Sequence, residues 1–272
     1  MIEKDIKMVN DYKGLRRKKI LLAEDVKLNQ YIAQRILESW GCVVTIANNG
    51  REAFELLQQG FFDCILMDVQ MPELDGVGAT ELIRKMPDEC KSSIPIIALT
   101  ANALASDKEK YSKAGMNDCI AKPINEEKLF SIITKNIPAE SFLPDKNISE
   151  EKNNEQMNVS EKLYDLSMVL SVSGGDKNFI RKMIALFMET VPPNVAELKK
   201  SAESENWDHV VKIAHKLKST IDSMGIKSIS PDIRAIESDA KQKINLSEIP
   251  SLANKIESVI NDCIVQLQTE IQ

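Results

Sequence analysis

Five short apolar runs, each followed by an amphipathic stretch, limit the folds open to this chain more than any other feature. The runs are Ile20–Ala23, Val43–Ala47, Cys64–Met67, Ile94–Leu99 and the weaker Asp118–Ala121. Such runs suit strands covered on both faces, as in a parallel sheet. Helical periodicity fills the gaps at about 27–40, 49–59, 76–86, 104–114 and 125–136. The alternation predicts an α/β domain over residues 18–138, a doubly wound five-stranded parallel sheet. Sheets of this kind gather their functional groups beyond the carboxyl ends of the strands. The residues there are Glu24 and Asp25 after the first run, Asp68 after the third, Thr100 after the fourth and Lys122 after the fifth.

The texture changes beyond residue 138. Residues 139–160 are rich in Asn, Glu and Ser without a sustained period, which predicts a flexible linker. Residues 161–272 are helical throughout, with long stretches at about 176–204, 206–223, 228–242 and 247–270 and a short one near 163–172. They predict an all-α helix bundle as a second domain. Pro192 and Pro193 should bend or break the first long helix. Residues 1–17 are polar, basic toward their end, and are expected to be a tail or incoming linker.

Composition excludes several classes. Five widely scattered cysteines form no CxxC pair, so a zinc site or disulfide framework is not expected, and a reducing cytoplasm fits. No apolar run is long enough to span a membrane, and charges spread through the first residues leave no signal-peptide core. Net charge is −6, and residues 161–272 hold 14 Lys+Arg against 16 Asp+Glu, a balance of −2. A nucleic-acid surface would usually be basic.

The strand-end residues carry a specific chemistry. Glu24, Asp25 and Asp68 repel one another unless a cation joins them, and oxygen-only ligands favour a hard ion such as Mg²⁺. A carboxylate beside Mg²⁺ and a lysine is placed to attack a phosphoryl group. Asp68, following the central strand, is the candidate nucleophile. Glu24 and Asp25 would hold the metal, while Lys122 and Thr100 would contact the phosphoryl oxygens.

The helical half holds the chain's two histidines, His209 and His215, on one predicted helix with the apolar stripe Val210, Ala214, Leu217, Ile221 and Met224. His215 falls about 140° from the stripe centre and is expected to face solvent. Lys218, three residues on, could counter phosphoryl charge on the imidazole, and Ser219 leaves space beside it. His209 lies on the opposite flank without such a frame. Gly225 should close the helix.

Two resemblances sharpen these expectations. Residues 19–138 resemble a response-regulator receiver domain of the two-component family. The matching pieces are Leu22-Ala23-Glu24-Asp25 with Asn29-Gln30, Leu66–Gly76 around Asp68, Ala98-Leu99-Thr100-Ala101, and Ala121-Lys122-Pro123-Ile124. The resemblance implies a flavodoxin-like fold, Asp68 as phosphoacceptor, the backbone carbonyl of Gln70 as a further metal ligand and a cis Lys122–Pro123 bond. Receivers commonly carry an aromatic residue three positions before the lysine, where this chain has Cys119. Residues from about 161 to 270 resemble a histidine phosphotransfer (HPt) domain, through Ala214-His215-Lys216-Leu217-Lys218-Ser219 with Gly225, and Gly174-Gly175-Asp176. This implies His215 as the phosphohistidine. Ser219 replaces a more usual glycine.

The expected function is Mg²⁺-dependent phosphoryl transfer between Asp68 and His215 or partner proteins. The partners would be a sensor histidine kinase upstream and a response-regulator receiver downstream, with no nucleic acid and no membrane insertion. The two domains and linker leave no room for an ATP-binding kinase domain, so the chain reads as a transfer intermediate or the C-terminal part of a hybrid histidine kinase. Two other readings compete. One is a DNA-binding response regulator whose Ser223-Met224-Gly225 break serves a helix-turn-helix. The other is a docking module without histidine phosphorylation.

Overall fold

The computed structural model describes residues 13–101, 105–137 and 162–270. The expected tail before residue 13 and the whole of the expected linker 139–160 lie outside them. The strands are β1 (Lys19–Ala23), β2 (Val43–Ala47), β3 (Cys64–Asp68), β4 (Ile96–Thr100) and β5 (Asp118–Ala121). They form one parallel sheet in the order β2-β1-β3-β4-β5. Every residue of β3 and β4 is buried, because helices cover both faces, whereas edge strand β2 is half open. The order reverses between β1 and β3, and the two acids after β1 sit beside Asp68 at that crevice.

The helices of this domain are α1 (Lys27–Ser39), α2 (Gly50–Gln59), α3 (Gly76–Arg84), α4 (Glu89–Ser92), α5 (Ala105–Ala114) and α6 (Glu126–Asn136). The one-turn α4 is not legible in the periodicity, being shorter than any amphipathic window. Its signal is a cap, the Asp88 side chain accepting from Cys90 and Lys91 amides. Gly76 opens α3 against the backbone of Asp68. A Cβ there would stand 2.1 Å from the Asp68 carbonyl oxygen, so only glycine permits this approach. The segment expected to be tail reaches the core: Lys13–Leu15 form a 3-10 turn, Leu15 is buried, and Arg17 N donates to Gly41 O.

The second domain comprises α7 (Ser167–Ser173), α8 (Lys177–Glu203), α9 (Trp207–Ser223), α10 (Ser230–Gln242) and α11 (Ile249–Glu270). Of the bend or break expected at Pro192 and Pro193, the break does not occur: α8 runs on through them. Each proline removes one ladder donor. Phe187, Val191, Val195 and Leu198 nevertheless bury one continuous face in the bundle. Each such burial stabilises by about 1.5–3 kcal/mol, which offsets the lost bonds. Gly225 follows α9 at φ +62 as expected, and a Cβ there would meet the Asp165 carbonyl at 2.5 Å.

The two domains touch through α1. Its outer side stacks Tyr31 on Phe179, with ring centroids 4.8 Å apart and planes 18° from parallel, and Lys182 lies 4.3 Å over the Tyr31 ring. Arg35 pairs with Asp176 at 3.5 Å and donates to Ser173 O at 3.3 Å. The core on the α1 face of the sheet is continuous with that of the bundle.

Candidate functional site

The strand ends bring together Glu24, Asp25, Asp68 and Lys122, four of the residues expected of the first domain. One oxygen each from Glu24, Asp25 and Asp68 lies within 4.8 Å of the others. Lys122 Nζ stands 2.5 Å from Asp68 Oδ2 and 2.6 Å from Glu24 Oε2. Its side chain is only 9% exposed, so the ammonium sits between two carboxylates rather than at a rim. The Lys122–Pro123 bond is cis. Gln70 N donates to Asp68 Oδ1 at 3.2 Å, which fixes one carboxylate oxygen. Thr100 ends β4 and is buried.

The electrostatics follow from burial. Desolvation pushes the Asp68 carboxyl up to about 7, against the pull of Lys122 and with the help of Glu24. Burial works to lower Lys122, but its pairs with Asp68 and Glu24 outweigh it and raise the ammonium above its ordinary value. The two directions look opposed, since a raised lysine argues for a favoured ion pair and a raised aspartate against one. Both follow if one charged lysine serves two buried acids. The direction that holds for each is upward, and the pocket keeps uncompensated negative charge.

Asp25 shows where further positive charge enters. Its Oδ2 atom is buried and makes no aligned hydrogen bond, although Lys216 Nζ of α9 approaches to 2.8 Å as an ion pair. A buried carboxylate oxygen without a directed donor, beside two more carboxylates, suits a hard divalent cation.

α9 supplies the other half of the site. Asn29 Nδ2 donates both to Glu24 Oε1 and to Ser219 Oγ, each at 3.1 Å. Ser219 lies one turn from His215 on the same face, so the histidine-bearing face of α9 is turned toward the pocket edge. The expectation that His215 faces solvent is corrected. Its side chain is 14% exposed, and Nδ1 lies 2.7 Å from Glu237 Oε1 of α10. Lys218 pairs with Oε2 of the same glutamate and is buried. The helical arithmetic placed His215 relative to its own stripe but contained neither α10 nor α1. His209 pairs with Glu197 on a more open flank, away from these groups.

Sequence reasoning missed Lys216 and Glu237. Lys216 adjoins His215 and could have been weighed. Glu237 lies 22 residues away on another helix, and no local signal marks it. Burial would raise its carboxyl, but hydrogen bonds from His215 and Lys218 outweigh burial and hold it down to about 2. An ionised carboxylate only accepts, so the Nδ1–H of His215 donates to Glu237, and Nε2 is the ring nitrogen not engaged in that bond. Glu237 therefore contributes stability that is fully present above its ordinary value of 4.5 and is lost as pH falls through about 2. Glu237→Gln is expected to cost up to roughly 3 kcal/mol at pH 7 and much less below pH ~2.5. Urea denaturation of both proteins across this range checks it. An equal deficit at both ends of the range would assign the loss to packing instead.

The geometry is thus an acidic, lysine-braced pocket on a five-stranded parallel sheet, seated against a helix bundle that presents a glutamate-held histidine. Residues 20–134 match the family described as response regulator receiver domain, and residues 182–270 match the Hpt domain family. The chain thus carries a response regulator receiver domain followed by an Hpt domain, a pairing that supports a role in phosphorelay signalling. It is 29% identical over 247 residues to the signal transduction histidine-protein kinase BarA of Escherichia coli, covering 89% of this chain and 26% of that protein. It is 30% identical over 237 residues to the aerobic respiration control sensor protein ArcB of the same organism, covering 83% of this chain and 29% of that one. The chain therefore spans little more than a quarter of these relatives. Among solved structures it is similar to the receiver domain of sensor histidine kinase PA1611 from Pseudomonas aeruginosa, which has a magnesium ion in its active site cleft. Identity is 42%, coverage 44% of this chain and 97% of that one, and the TM-score 0.41. Among the described residues no helix is long and apolar enough to cross a membrane.

Proposed function

We propose that this chain carries phosphoryl groups between Asp68 and His215, as an intermediate in a multistep relay. The observation that carries the reading is the seating of α9 on the pocket edge, through Lys216 on Asp25 and Ser219 on Asn29. In the step from Asp68 to His215, the lone pair of Nε2 attacks phosphorus on the Asp68 acyl phosphate. The P–N bond forms as the P–O bond to Asp68 breaks, and the carboxylate regains its negative charge; the reverse step runs the same bonds backward. Lys122 and Thr100 donate to the phosphoryl oxygens, and Lys218 holds positive charge beside the imidazole. Glu24, Asp25, Asp68 and the carbonyl of Gln70 would hold Mg²⁺, which neutralises charge on those oxygens when bound.

The reading includes a sensor histidine kinase upstream, a receiver protein downstream and a cytoplasmic site of action. Coverage of about a quarter of the relatives fits a segment of a hybrid histidine kinase. We assign residues 18–138, extended back to Lys13, to the receiver unit, 139–160 to the tether and 161–272 to the Hpt unit. Acidic balance in the helical half disfavours the DNA-binding alternative.

The test follows label from Asp68 into His215. A radiolabelled small phosphodonor should load Asp68 as a base-labile acyl phosphate, and the label should then appear as acid-labile, base-stable phosphohistidine. Transfer within one chain keeps its rate on dilution, whereas transfer between chains slows in proportion. A rate that falls linearly with protein concentration would leave His215 to serve a separate receiver. Tyr31→Ala, which removes the stack on Phe179 without touching either phosphorylated residue, is expected to slow the intrachain step about tenfold. Loading of Asp68 should also stop in excess EDTA and return with added Mg²⁺. Undiminished labelling in chelator would remove the metal from the assignment.

A further inference from the structure

The sequence carries Cys119 where receivers commonly have an aromatic residue, and the structure fills the vacancy from another element. Tyr111 of α5 places its hydroxyl 2.9 Å from Thr100 Oγ1, and either oxygen could be the donor. The Tyr111 side chain is buried among Ile94, Ile96, Ala98 and Met116, with Cys119 packed at the edge of that cluster. Cys119 itself is half-buried on β5, paired in register with Ala98 rather than with Thr100. Tyr111 is also the one large apolar anchor among the described side chains of α5, whose other buried residue is Ala114. Its position is therefore set by the sheet, and its hydroxyl is presented to Thr100 by packing.

We infer that Tyr111 is a positioning residue for phosphoryl transfer at Asp68, acting through Thr100. The inference rests on the reading that Thr100 donates to the phosphoryl group. A threonine hydroxyl has one proton and can accept through its lone pairs. Once that proton goes to a phosphoryl oxygen, Tyr111 must be the donor in the Thr100–Tyr111 bond. The chain then runs from Tyr111 O–H to Thr100 Oγ1 and from Thr100 O–H to the phosphoryl oxygen. Each bond polarises the next, and the threonine rotamer is held with its proton aimed into the pocket. The covalent step is unchanged: the donor's O–P bond breaks, acetate leaves if the donor is acetyl phosphate, and an Asp68 oxygen gains the P–O bond.

The experiment is a double-mutant cycle on the full chain, with Asp68 labelling by acetyl phosphate and Mg²⁺ as the readout. Tyr111→Phe keeps the ring and deletes only the hydroxyl. It is expected to lower the maximal labelling rate about two- to tenfold at saturating donor, with the half-saturating donor concentration unchanged. In a Thr100→Val background the same change should have no further effect. An equal slowing in both backgrounds would show that Tyr111 supports the fold and nothing more, and no slowing with Thr100 present would also overturn the inference. If Thr100→Val alone leaves the rate intact, the role given to Thr100 fails first, which separates that failure from this one. Circular dichroism and a thermal midpoint for each variant identify any that do not fold. Should Thr100→Val be one of them, Thr100→Ser restores the hydroxyl, and the Tyr111→Phe effect must then persist.

Discussion

Asp68→Asn is expected to leave the chain unlabelled by a small phosphodonor, below about a thousandth of wild type, because the amide has no anionic oxygen to attack phosphorus. His215→Gln should instead label normally on Asp68 and never show acid-labile phosphate. The contrast follows from the two environments. Asp68 is buried at the end of β3 beside Lys122 and the acids after β1. His215 is held by Glu237 of α10 and is not part of the Glu24, Asp25 and Asp68 cluster. Small donors should therefore enter at Asp68, and the histidine should receive label only from an acyl phosphate. Mixing the two variants adds a further expectation. Labelled His215→Gln protein, whose Asp68 is intact, should pass phosphate to the His215 of Asp68→Asn protein, at a rate proportional to concentration. Acid-labile label on Asp68→Asn protein treated with donor alone would show that His215 is charged directly, and the order of transfer would have to be redrawn.

Lys122→Ala is expected to slow Asp68 labelling by about two to three orders of magnitude, the usual cost of losing one donor aimed at developing negative charge. The structure adds a consequence that a rim lysine would not have. Lys122 is buried between Asp68 and Glu24 at 2.5 and 2.6 Å, so its removal strands two carboxylates in a pocket that also contains Asp25. Breaking a buried pair from one side costs about 3–5 kcal/mol. The variant should lose that stability without metal and regain much of it with Mg²⁺, because a cation bound only by the folded state stabilises that state. Thermal denaturation with and without Mg²⁺, compared with wild type, measures both parts. A variant of wild-type stability that labels at the wild-type rate would remove Lys122 from the site.

Much of the receiver half was legible because its signals are local. Five apolar runs specify strands buried on both faces, and the residue at each carboxyl end is then placed by the chirality and order of a parallel sheet rather than by its own side chain. Glu24, Asp25, Asp68, Thr100 and Lys122 could be read together for that reason. Gly76 and Gly225 were legible as punctuation, and close backbone approaches explain why they are glycines. Pro192 and Pro193 do not break α8, because the local penalty is weighed against an apolar face that the rest of the bundle buries.

Tertiary structure decided what lies across elements. Helical spacing fixes where His215 stands relative to Val210, Ala214 and Leu217. It cannot say that α10 brings Glu237 to Nδ1 or that α1 covers the neighbouring surface. Nor can it show that Tyr111, eleven residues from Thr100, reaches its hydroxyl. The sequence by itself determined the two domains, the strand-end acids, the lysine and the histidine, since period and order along the chain encode these. Which nitrogen of His215 is left free, which tyrosine serves Thr100 and which lysine meets Asp25 depend on side chains from separate elements packing within a few ångströms, and only the folded chain brings them there.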